Sequence, residues 1–208
     1  MRSVNVTSLD VDPQDRAAAV AALVGVRNGV ANVGRRAANR TVVTVRAQAS
    51  RAVAKILNLK VSAIKGTMTI RRANFKNPAA SVTCWHAPTP IVLFGARPTN
   101  AGIRVCVKKA EGWKFIPHAF FADMPVRVKG GGISMQRSSL GVFDRAKKGG
   151  FSKARVHRLP IHEVFSSSVA DVLGDEPVIK PIQIDALELF HKNFMRELDF
   201  EMSKIGAK

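Results

Sequence analysis

Between Arg16 and Ala110 the chain carries no Asp or Glu, yet seventeen Lys and Arg fall in those ninety-five residues. A solvated surface ordinarily intersperses both signs, because unrelieved like charge works against the compact state. A fold built on this stretch therefore calls for an anionic partner that supplies the missing charge. Inside it, Ala38, Val42, Val45, Ala49, Ala52 and Ile56 recur four, three, four, three and four residues apart. At about 100° per residue they form one narrow apolar stripe, which predicts an amphipathic helix over 31–57. Arg36, Arg40, Arg51 and Lys55 project from its opposite side. With Arg71, Arg72 and Lys76 downstream, they are the candidate surface for DNA or an acidic partner.

The whole chain has 208 residues and a formal net charge of +18, which points to nucleic acid, an acidic protein or an anionic surface. Its 46% hydrophobic content is that of a folded protein. Cys84 and Cys106 make no disulfide framework, so a reducing compartment is expected. The first residues lack the apolar core of a signal peptide, and the uncharged run 17–26 is too short to span a bilayer. A protein with no membrane partner is the expectation.

Along the chain, Asp12-Pro13-Gln14-Asp15 opens a first helix that runs to about Arg27, with Asn28-Gly29 as a left-handed cap. From Thr67 the pattern turns to short extended runs: 67–72, 81–86, 90–94, 103–108, 113–116, 118–122 and 141–145. Asn77-Pro78 and Glu111-Gly112 are turn signals between them. The stretch 129–139, with Gly130-Gly131-Gly132, and the basic run 146–155 are expected as loops, and Arg158-Leu-Pro-Ile161 closes the β region. In the last segment Ile184, Leu187, Phe190, Phe194, Leu198, Met202 and Ile205 recur at three or four, a second amphipathic helix. The expected class is α+β, with N-terminal helices, a central and mainly antiparallel β-sheet and a C-terminal amphipathic helix. The division follows the chain: a capped helix over 1–30, the basic helix with the β core over 31–160, and an acidic helical segment over 161–208.

Little points to catalysis. Cys84 and His86 would share one side of a strand, but a zinc site needs about four ligands and no second pair follows. The triple glycine lacks the Gly-Lys-Ser/Thr of a phosphate-binding loop, and no nucleophile elbow is present. Neither catalytic residues nor a metal or cofactor is expected. Standard nucleic-acid modules are also missing: no finger spacing, no aromatic strand motif and no Tyr at all. Any contact with DNA would be to phosphate and blind to sequence.

Several blocks together resemble the prophage minor tail protein Z family, typified by the tail completion protein of lambda-like long-tailed phages. They are Ala38-Asn39-Arg40, Val61-Ser-Ala-Ile-Lys65, Arg71-Arg-Ala-Asn-Phe-Lys-Asn-Pro-Ala79 and Pro90-Ile-Val-Leu-Phe-Gly-Ala-Arg97. His118-Ala-Phe-Phe, Val142-Phe-Asp-Arg145 and Arg158-Leu-Pro-Ile161 extend the likeness, which runs nearly continuously from Ala31 through Arg97 and patchily after it. The resemblance implies a structural virion protein at the head-proximal end of the tail, active in head–tail joining and without catalytic residues. It implies a ring, hexameric by the tail's symmetry, around the DNA channel, with tail terminator and head–tail connector proteins as neighbours. It also implies location in the neck of the virion, and in the host cytoplasm during assembly. A reading of another class, a ribosomal or nucleoid type of basic nucleic-acid-binding protein, has the same size and charge.

The charge is divided along the chain. Eighteen bases and three acids precede Glu111, whereas nine acids and five bases follow from Ile161. In a closed ring each subunit offers one surface to a different surface of the next. The acidic C-terminal helix is thus expected to dock on a neighbouring subunit through Phe190, Phe194 and Leu198, leaving the basic face free. The rival expectation is that this helix packs as core within its own subunit.

Overall fold

Alanine and valine at helical spacing close into a 28-residue helix, α1 (Gly29–Ile56). In this computed structural model, residues 3–9, 13, 29–77, 79–127, 133–145 and 161–206 are described. The expected helix before Arg27 lies outside them apart from the helical Pro13, as do Gly130–Gly132, the run 146–155 and Arg158–Pro160. Gly29 is the first residue of α1 and is buried. Of the predicted stripe, Ala38, Val42, Val45 and Ala49 are buried and Ala52 and Ile56 half-buried. Val33, Ala37, Thr41, Ser50 and Val53 widen it. Thr41 and Ser50 enter this apolar surface because each hydroxyl donates to the carbonyl four residues back, at 2.9 and 2.7 Å.

After α1 come α2 (Val61–Gly66), β1 (Ser3–Leu9) having preceded both, and then β2 (Met68–Arg71) and β3 (Ala80–Trp85). Next are β4 (Thr89–Pro90), β5 (Arg97–Thr99), β6 (Gly102–Val105), β7 (Lys114–Pro117), β8 (Phe120–Arg127) and β9 (Ile133–Arg145). The chain ends in β10 (Ile161–Glu163), β11 (Phe165–Ser166), α3 (Val169–Gly174) and α4 (Glu176–Gly206). The class is α+β, and every strand pairing among the described residues is antiparallel. Among the described residues, four small sheets stand where one central sheet was expected.

Two compact units divide these elements, and they do not follow the linear partition at residues 30 and 160. The first unit joins Met1–Val53, Ile64–Ala87 and Val169–Lys208. Its sheet has the order β1-β3-β2. Strand β3 alternates inward Ala80, Val82 and Cys84 with outward neighbours, and Val6 and Met68 join them in the core. Helices α3 and α4 pack on β1, and the Gln183 amide donates to the Val6 carbonyl at 3.2 Å.

The second unit joins Ala54–Ala63 and Pro88–Ser168, with sheets β5-β6-β7, β10-β9-β8 and β11-β4. The Pro90–Phe94 run, expected as a strand, is a 3-10 turn at Ile91–Phe94, closed by Gly95 in the left-handed conformation at φ 70°. Asn58 holds it, donating its side-chain amide to the Phe94 carbonyl at 3.0 Å and its backbone N–H to Val107 at 2.9 Å. Residues 133–139, expected as loop, belong to β9, which pairs with β8 at 133–134 and 138–143 with a register shift between. At Gly102 a Cβ would lie 2.2 Å from the Ile116 carbonyl oxygen, so only glycine lets β6 and β7 close there.

The C-terminal helix corrects one expectation outright. Phe190, Phe194 and Leu198 are buried within their own chain, together with Ile182 and Ala186, and are not available to anchor a neighbour. Ile184, Leu187 and Met202 of the predicted stripe are exposed. The buried row runs at 182, 186, 190 and 194, about 120° round from the exposed one at about 100° per residue, and the predicted stripe straddles both. Phe194 is 0% exposed, and its ring lies 6.1 Å from that of Phe190. Phe194→Ala should therefore cost about 3–5 kcal/mol, read as a lowered urea midpoint. A loss below about 1 kcal/mol would mean that α4 does not form part of the core.

Candidate interface

The basic face of α1 has two halves with different surroundings. Arg36 and Arg40, one turn apart, meet carboxylates of α4. Glu197 is only 3% exposed. Its carboxylate lies 2.7 Å from the Arg40 guanidinium and 3.9 Å from that of Arg36. Glu201 pairs with Arg36 and, at 3.3 Å, with Lys204. A buried carboxylate is tolerated only when charged partners or hydrogen bonds replace its water. Two guanidiniums on one ion do so. One turn earlier the Asn193 amide donates to the Thr41 hydroxyl at 2.9 Å, which continues the polar seam.

Part of the charge missing from the acid-free stretch is thus supplied by the chain itself. Arg36 and Arg40 are not free for an outside anion. Arg51, Lys55, Arg71, Arg72 and Lys76 are exposed, and none is paired with a carboxylate among the described residues. Arg51, Arg71, Arg72 and Lys76 in the first unit, and Lys55 in the second, remain the candidate basic residues.

Arg72 is positioned by an exchange of hydrogen bonds beside it. The Asn39 amide donates to the Ala73 carbonyl at 3.1 Å, and the Ala73 N–H donates back to the Asn39 side-chain oxygen at 2.8 Å. This clamp ties the end of β2 to α1. Arg36, Asn39, Arg40, Val43, Thr44 and Arg72 then line an open groove of about 530 Å³. Arg35 stacks on the exposed Phe75 ring at 4.7 Å, which holds the segment beyond Ala73 near the helix. An Asx-type turn at Asn74, accepting from the Asn77 N–H at 2.7 Å, reverses the chain toward β3.

Cys84 and His86 are not brought together. Cys84 is buried, and that burial raises its thiol pKa, partly offset by a contact with the Thr67 hydroxyl at 3.7 Å. It therefore stays protonated and is a poor nucleophile or metal ligand at neutral pH. His86 lies past the end of β3, exposed, with Nδ1 3.2 Å from Asp171. Among the described residues no group of three or more His, Cys, Asp and Glu could hold a metal ion, and no helix is long and apolar enough to cross a membrane.

Residue periodicity missed Glu197 and Glu201, though a signal existed. Glu197 falls on the arc of Phe190 and Phe194, and a carboxylate inside an apolar row calls for a cation. The ion pairs generate a direct test. In a double-mutant cycle of Glu197→Gln and Arg40→Ala, the coupling should be about 1–3 kcal/mol, discounted from a fully buried pair because Arg40 is half in solvent. The same cycle with Arg51→Ala should give a coupling near zero. Equal couplings would place Glu197 elsewhere. Compared with known protein families, curated proteins and solved structures, the chain matches none.

Proposed function

We propose that this chain is a structural virion protein, a tail completion protein at the head-proximal end of a long phage tail. The observation that carries the reading is the meeting of two of the blocks on which the resemblance rests. Ala38-Asn39-Arg40 and Arg71–Ala79 are more than thirty residues apart in sequence, and the reciprocal Asn39–Ala73 bonds join them. In this reading subunits form a ring, hexameric by the symmetry of the tail, around the DNA channel. Tail terminator and connector proteins lie on either side of it. Arg51, Lys55, Arg71, Arg72 and Lys76 meet channel DNA through phosphate, or an acidic surface of a neck protein, without reading sequence.

The subunit contact must use other residues than Phe190, Phe194 and Leu198. Ile184, Leu187, Met195 and Met202 are exposed large apolar residues of α4, and they lie on one side of it. They replace the buried anchors as the contact with the next subunit. Sedimentation of a homogeneous, nucleic-acid-free sample tests the reading. It should show a closed ring, alone or on a tail terminator partner, and Leu187→Arg should give a folded monomer. A monomer or dimer that gathers only on nucleic acid would instead support the basic nucleic-acid-binding class.

A further inference from the structure

We propose that the exposed face of the β5–β6–β7 sheet, in the second unit, binds single-stranded nucleic acid. It uses none of the residues of the α1 groove and does not rest on the tail reading. The pairing register sets Arg97 opposite Arg104, and Arg104 opposite Phe115. Residues directly opposite in antiparallel strands share a face, so these three side chains form a row across the sheet. The Arg97 guanidinium lies 4.8 Å over the Trp113 ring, which adds a second aromatic to the row. Ile103 and Val105 alternate to the other face and are buried.

Two features of this face are costly without a ligand. Arg97 and Arg104 are like charges directly opposite each other, an arrangement that destabilises a sheet. Neither meets a carboxylate among the described residues. Glu111, close in sequence, is already engaged: hydrogen bonds from Lys114 and then Lys108 hold its carboxyl below the usual carboxylate range. The unit as a whole carries sixteen Lys and Arg against four acids. The second feature is apolar. Trp113 is 49% and Phe115 47% exposed, two rings in water on a face that also carries cations.

One ligand chemistry answers both. A phosphate between Arg97 and Arg104 relieves their repulsion, and an unstacked base has a flat face for Phe115 or for the guanidinium over Trp113. Beside Phe115, a hollow of about 520 Å³ lined by Thr99, Asn100, Ala101, Arg104 and Phe115 leaves room for a nucleotide. A duplex offers the same phosphates but keeps its bases stacked inside, away from the rings. An acidic peptide meets the arginines and leaves the rings unmatched.

Fluorescence anisotropy on the full chain tests this, with a labelled oligothymidylate of about a dozen nucleotides, a mixed-sequence duplex of equal length and poly-glutamate as competitor. We expect Trp113→Ala and Phe115→Ala each to weaken the single strand about 5- to 100-fold and to leave the duplex within about twofold. Arg97→Ala should lower the salt dependence by about one phosphate contact. In a Trp85→Phe background, the oligonucleotide should quench Trp113. Should either alanine variant unfold, Trp113→Leu and Phe115→Leu keep the apolar bulk and remove the aromatic plane, and the same selective loss is expected. Unchanged single-strand affinity in the ring variants overturns the proposal. So does equal loss of single strand and duplex, or displacement by poly-glutamate as effective as by unlabelled oligothymidylate.

Discussion

The Glu197 carboxylate, buried between α4 and the guanidiniums of Arg36 and Arg40, is the interaction on which the first unit depends. It fixes which side of α4 faces inward and so sets Phe190, Phe194 and Leu198 in the core. Together with Glu201 it also offsets the charge of two bases of the acid-free stretch without an outside partner. An ion pair of this kind contributes less to net stability than its Coulomb attraction implies, because both groups were solvated in the unfolded chain. Its larger effect is on specificity. Rotating α4 to bury Ile184 and Leu187 instead would leave a carboxylate unpartnered or two arginines bare.

The two units express the same charge excess differently. In the first, the C-terminal segment brings acids to the basic helix, and the exposed bases left without a carboxylate include Arg51 on α1, Arg71 at the end of β2, and Arg72 and Lys76 after it. In the second, acids are few, and Glu111 serves two lysines. Its arginines stand on an exposed sheet face among aromatic rings. The unrelieved charge therefore has different surroundings in the two units: in the first it lies on α1 and the segment after β2, and in the second on a sheet face among aromatic rings.

Much of the helical part was legible because its signal is local. Ala38, Val42, Val45 and Ala49 alternate at the helix period, and the structure buries all four. The α4 stripe was half legible, since Phe190, Phe194 and Leu198 fit two adjacent arcs and only the partner surface chooses between them. Strand β1 was missed because Ser3, Asn5, Thr7 and Ser8 make it polar, and it is a strand by virtue of pairing with β3. Pro90–Phe94 looks like a strand by composition, but Gly95 in the left-handed region ends it as a turn. The Asn39–Ala73 clamp and the row Arg97, Arg104, Phe115 depend on register between distant segments, which residue spacing does not carry. That is why the basic residues were found from sequence and their counterions and aromatic neighbours were not.

The central claim is that the acidic C-terminal helix belongs to the core of its own chain and offsets Arg36 and Arg40 of α1 there. Removing every residue after Pro181 tests it most directly, followed by urea denaturation and far-UV circular dichroism of the truncated chain. The account predicts loss of a cooperative transition in the first unit, since Val6 and the inner face of α1 lose their cover. A truncated chain that unfolds cooperatively with the stability of the full one, and merely fails to assemble, would contradict it.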